Sequence, residues 1–308
     1  MVFCLDAHGQ QAAKTPSKQT PILQDMLGTE EVADILKDPA RTLLVHVRDP
    51  QKPTAPLDAA TRVQIEILAD QGNAVAKNVA YVDYIRRQTL ALSTLISKGD
   101  QAGIQKMSND MATDGARYVA FFAEAIKEGD ERARANLVFE TVRTGGSLID
   151  DFQSLLGTAE RWTDTHAVCQ IAHALLSDAQ TNQYYSKIES PIPWAVKAAM
   201  SGEVEALIIA AQAFKFDNQY GKSLEYADRA AESKEPKAIR EAGHCRFLVG
   251  MEEKSKEKVQ GAIVSLRSAA DMGDIIAKRL LAVIYLDKDE SLMQHPITKN
   301  ERFLRRDL

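Results

Sequence analysis

The sequence predicts an all-α chain of tandem helical hairpins, and three observations carry that prediction. Ala, Leu, Glu, Lys and Arg follow one another at helical spacing through 308 residues that are 45% hydrophobic and 26% charged, with Pro at only 10 positions. Strand signals are scarce, the nearest being RTLLVHV (Arg41 to Val47), which suits a helical turn equally well. A pair of small residues, a Gly-acid step and a fresh apolar helix pattern also recur along the chain, as in AADMGDIIAKRLL at residues 269–281.

Taken in order, residues 1–28 are polar, carry Pro16 and Pro21, and are expected to be poorly ordered. TEEVADILKD (Thr29 to Asp38) reads as a short capped helix and DPQKPTAP (Asp49 to Pro56) as a linker, so residues 1–56 form an N-terminal arm. An array of about seven hairpin units is expected over residues 57–296. Its pivots are Gly72, Gly99, Gly129, Thr163, Gly202, Lys234 and Gly273, each followed by a residue able to begin a helix: Asn73, Asp100, Asp130, Asp164, Glu203, Glu235 and Asp274. Four positions after each pivot stands a small residue: Ala76, Gly103, Ala133, Ala167, Ala206, Ala238 or Ala277.

The physical reading is that glycine closes one helix in the left-handed conformation, the next residue caps a new one, and the small residue lets helices approach closely. Pro236, just after Glu235, suits a first turn, where no donor is needed. Pivots lie about 27 to 39 residues apart, room for two helices and two connections. Breaks inside the hairpins are expected at Gly115, at Gly145 and Gly146, and in FDNQYGKS (Phe216 to Ser223). Residues 74–97 suit one continuous helix or two. Residues 297–308, with Phe303, Leu304 and Leu308 beside Arg302, Arg305 and Arg306, read as a capping helix or a basic tail.

YGKSLEYADRAAESKEPKA and VQGAIVSLRSAADMGDIIAKRLLAVIY resemble Sel-one-like repeats, relatives of the tetratricopeptide repeat. The resemblance covers residues 190–288; over 58–189 the Gly-Asp steps persist while the second-helix pattern decays. It implies a right-handed α-solenoid acting as a protein-interaction scaffold, and it carries over no catalytic residue.

A net charge of −5 speaks against a nucleic-acid surface. No run of about 20 apolar residues is present to span a bilayer as a helix. Cys4, Cys169 and Cys245 are too scattered for a disulfide framework, so a reducing, cytoplasmic setting is expected, with a periplasmic or secreted one as the alternative if the true start lies upstream.

Catalytic signatures are lacking. His166, Cys169 and His173 share a helical face, but the two histidines lie about 10 Å apart along the axis, too far to share an ion, so no metal or other cofactor is expected. KIESPIP and SLMQHP superficially resemble lytic transglycosylase motifs, but roughly a hundred residues separate Glu189 from the second. Cys245 beside His244 is no dyad by adjacency, since helix neighbours point about 100° apart.

On a helical wheel, positions three, six and ten after the pivots face away from the small residues. They gather Arg132, Phe139, His166, Cys169, His173, Lys237, Arg240 and His244 into one polar, partly basic row with an aromatic. The expectation is a non-enzymatic scaffold or adaptor whose groove takes a protein or peptide segment, suited to acidic residues or a carboxylate terminus. The alternative is a helical accessory domain of a cell-envelope, glycan-processing enzyme.

Overall fold

The computed structural model describes residues 29–44, 55–144, 152–181 and 189–286. Among these residues the chain forms fourteen α-helices and one 3-10 helix (Ala159–Arg161), with no strand. It divides into two compact units, Met1–Gln170 and Ile171–Leu308. The first holds α1 (Thr29–Lys37), α2 (Pro39–Thr42), α3 (Ala59–Asp70), α4 (Ala74–Lys98), α5 (Gln101–Lys127), α6 (Glu131–Arg143) and α7 (Phe152–Leu156). The division falls within α8 (Thr165–Thr181), and the second unit continues with α9 (Pro191–Ala199), α10 (Val204–Phe216), α11 (Tyr220–Ala231), α12 (Pro236–Glu252), α13 (Lys256–Asp271) and α14 (Ile275–Leu286).

Six of the seven pivots take a positive φ, including Lys234 at 60°, which enters the left-handed region without being glycine. The seventh, Thr163, is held differently: its amide and that of Asp164 donate to the Glu131 carboxylate at 2.9 and 2.7 Å. Asn73, Asp100, Asp130, Asp164 and Asp274 each accept from the amide three residues on, at 2.6–2.9 Å. Glu203 and Glu235 form no such cap bond; instead Ser201 and Ser233 accept from their amides at 3.2 Å. The alanines four positions after the pivots are 0–1% exposed, so the helices meet there, whereas Gly103 is half-buried.

Residues 74–97 belong to one long helix, α4, and Gly99 turns it directly into α5. Gly99 therefore joins two arms of a single long hairpin instead of separating two repeat units. Gly115 corrects a second expectation. It lies inside α5, not at a break, and a Cβ on it would stand 2.7 Å from the Tyr84 Oη of α4. The missing side chain is what lets the two arms approach. RTLLVHV is not one element either: Arg41 and Thr42 close α2, Leu43 is extended at φ −110°, ψ 142°, and residues 45–47 lie outside the described residues.

In the second unit α10 and α11 turn at Asn218 (φ 59°), within FDNQYGKS as expected, and α12 and α13 turn at Lys254 (φ 55°). Successive helices from α9 to α14 pack on one another, and α12 also touches α10 and α14, the pattern of tandem hairpins. Separate apolar clusters centre on Ile65 and Val79, and on Val82 and Phe122, in the first unit. In the second they centre on Leu248, on Leu266 and on Ala227. Of the remaining expectations, those on residues 1–28, on Asp49 to Thr54, on Gly145 and Gly146 and on 297–308 lie outside the described residues.

Candidate functional site

The expected row proves to be built largely from groups already engaged. In the first unit, Arg132 on α6 binds Asp164 at 2.7 Å and donates to the Lys37 carbonyl and the Thr42 Oγ1, both at 2.8 Å. Phe139 and His166 are half-buried, and Cys169 is buried at 7% exposure. In the second unit Lys237 pairs with Glu205 of α10, and Arg240 pairs with Asp274 before α14 at 3.0 Å. His173 is half-buried, with its Nδ1 enclosed and without a partner among the described residues, and burial lowers its pKa.

His244 is buried, not on an accessible row as its wheel position suggested. A wheel gives an angle and not a depth, and here the neighbouring α10 covers that angle. Lys215 of α10 reaches Glu241 at 2.6 Å and the His244 Nδ1 at 3.3 Å. Burial opposes charge on Glu241 most strongly, but the surrounding groups, led by the Lys215 ammonium that also donates to it, together outweigh burial and hold the carboxyl down to about 2. Burial and then Lys215 push His244 down to about 3. The neutral ring can therefore accept from Lys215. Ser223 donates to the Ala211 carbonyl at 2.7 Å, which leaves the Cys245 thiol as donor in their 3.0 Å contact. Burial and then Glu241 push that thiol up to about 12, so Cys245 is a protonated core side chain and His244 is not its base.

The arrangement that sequence reasoning missed lies in the first unit. Asn78 on α4, Asn136 on α6 and Gln170 on α8 are all fully buried, a costly placement for amides unless each is hydrogen-bonded. Their partners include a stretch of main chain. The Thr42 carbonyl accepts from both Asn78 Nδ2 (2.8 Å) and Asn136 Nδ2 (2.9 Å), and the Leu44 amide donates to Asn136 Oδ1 at 2.8 Å. The Leu43 carbonyl accepts from Arg86 at 2.8 Å. Asn136 also donates to Asn78 and accepts from Gln170, so both its donors and both its acceptor sites are used.

One side-chain amide thus meets the carbonyl of one residue and the amide of the second residue after it, as a neighbouring β-strand would. Thr42 is fully buried and its hydroxyl accepts from Arg132; Leu43 is buried, and Leu44 packs against the cluster of Tyr81, Val82 and Phe122. The sequence signal that could have found this face is an uncharged amide six or seven positions after a pivot, two or three positions beyond the buried alanine, in each of α4, α6 and α8.

Glu189 is half-buried, next to Ser190, whose side chain caps α9. Among the described residues no group of three or more His, Cys, Asp and Glu side chains could hold a metal ion. No helix among them is long and apolar enough to cross a membrane.

No protein-family model matches the chain, and no curated protein matches it. Among solved structures, the crystal structure of a Sel1 repeat protein from Oxalobacter formigenes is similar at 16% identity and a TM-score of 0.19, over 88% of this chain and 98% of that one. So low a score assigns nothing, and the all-α, tandem-hairpin description rests on the helices and turns themselves.

Proposed function

We propose that this chain is a non-enzymatic protein-interaction scaffold that holds an extended polypeptide segment against a helical face. The observation that carries the reading is the amide face of α4, α6 and α8, where Asn78 and Asn136 grip the main chain from Thr42 to Leu44 as it leaves α2 through the extended Leu43. Main-chain recognition of this kind is how sheet edges take extended partners, with side-chain pockets adding selectivity, and here helix side-chain amides supply the bonds. The reading places partner recognition in polar main-chain contacts. An acidic or carboxylate-terminal partner gains less support, because Lys237 and Arg240 are already paired with Glu205 and Asp274. The protonated Cys245 thiol and the neutral His244 favour a scaffold over an enzyme built on those residues.

Affinity capture from the native cell tests the reading. Full-length wild type should retain a specific protein that an Asn78→Ala/Asn136→Ala variant of unchanged helicity loses. Equal retention by both would turn the assignment away from this face, and reproducible hydrolytic activity lost on Glu189→Gln would replace it with the glycan-processing alternative.

A further inference from the structure

The segment that fills the amide face belongs to the chain itself, and its contacts are those of a bound peptide more than those of a helix connection. Asp38 to Leu44 begins with the one-turn α2, whose N-terminus Asp38 caps through the Ala40 amide at 2.8 Å, and then runs extended through Leu43. Its main chain is held by side chains from three places distant in sequence: Arg86 and Asn78 of α4, and Asn136 of α6. Beyond the main chain, each of three residues has its own receiver. The Thr42 hydroxyl meets Arg132, the Leu43 side chain is buried, and the Leu44 side chain joins the Tyr81–Phe122 cluster.

The geometry points to residues 38–44 as a built-in ligand: a strap occupying a site for an extended segment with a hydroxyl residue followed by two aliphatic residues, which an external segment of that chemistry must displace. This deepens the scaffold reading and rests on it for the biological partner, but not for the site. The strap blocks the face by virtue of its tether, which presents it at an effective concentration of roughly millimolar order. A free peptide therefore competes poorly until the strap is weakened. Selectivity follows from burial. A charged residue in place of Leu43 would be desolvated without a partner, and loss of the Thr42 hydroxyl would leave the half-buried Arg132 guanidinium with one partner fewer.

The test uses the full-length chain and a fluorescein-labelled peptide of residues 36–46, followed by anisotropy. Leu43→Asp in the protein should expel the strap and raise peptide affinity at least ten-fold over wild type. Asn136→Ala added to that variant should abolish the gain, and a Leu43→Asp peptide should not bind. A folded Leu43→Asp protein that binds the peptide no better than wild type overturns the proposal.

Hydrogen exchange on wild type decides the matter even if that variant does not fold. The Leu44 amide should exchange by local opening, at least ten-fold faster than the Val79 and Val138 amides of α4 and α6. Exchange of all three at one common rate would make the strap an integral part of the fold and overturn the proposal. Peptide binding as expected, with nothing captured from cells, would sink the scaffold reading alone. A captured partner that the Asn78→Ala/Asn136→Ala variant loses, together with failed peptide binding, would sink the strap alone.

Discussion

Lys215 on α10 and Glu241 on α12 meet at 2.6 Å with both side chains withdrawn from solvent. Removing one member strands the other. Lys215→Met should destabilise the chain by about 3 to 5 kcal/mol, whereas Lys215→Met with Glu241→Leu should recover most of that loss, because the cost lies in the unpaired charge and not in the pair's absence. Urea denaturation of the two variants checks this, and equal destabilisation by both would contradict it.

The same cluster sets an acid limit. Glu241 titrates lower in the folded chain than its ordinary 4.5, so its contribution is complete above about 4.5 and is lost as pH falls toward about 2. His244 is lowered from 6.5 to about 3, so between those values the unfolded chain binds the extra proton, and stability again falls as pH drops. The melting temperature should decline from pH 7 to pH 4, and His244→Gln should flatten the part of that decline above pH 4.5. An unchanged slope in this variant would assign the decline to other groups.

Lys237 and Arg240 should behave as structural cations. Lys237→Glu sets a carboxylate against Glu205, and Arg240→Glu sets one against Asp274, each costing on the order of 1 kcal/mol at these partly exposed sites. The compensating exchange, Lys237→Glu with Glu205→Lys, should restore the wild-type melting temperature. A single reversal that leaves melting unchanged would show these pairs to be without structural weight.

Two glycines within helices of the second unit should respond in opposite directions to alanine. At Gly250 a Cβ would stand 2.9 Å from the Val259 main-chain nitrogen, so Gly250→Ala must push α12 and α13 apart, at about 1 to 3 kcal/mol. At Gly221 nothing lies within 4 Å, and Gly221→Ala should stabilise by up to about 1 kcal/mol through helix propensity. Thermal melts of the two variants on opposite sides of wild type are the expected result.

The turns were legible because their chemistry is local. A left-handed residue, a cap and a small residue lie within five positions, and the pattern survived even where Lys234 replaced glycine. Gly115 was misread because a glycine that ends a helix and one that admits a neighbouring helix look alike in one dimension; the Tyr84 ring that distinguishes them lies 31 positions away. His244 was placed at the right angle and the wrong depth, since Lys215 on another helix covers it. Asn78 and Asn136 escaped notice because their role is defined by the main chain they hold.

That separation has a consequence during synthesis. The Leu44 amide and the Asn136 side chain that receives it are 92 residues apart, so on the ribosome residues 42–44 emerge well before α6 exists. At roughly 5 to 20 residues per second the nascent strap waits about 5 to 18 seconds for Asn136, and longer for the Gln170 that completes the amide's bonds. Through that interval an aliphatic pair stands uncovered near the start of the chain, and the growing polypeptide offers it to whatever else binds extended backbone.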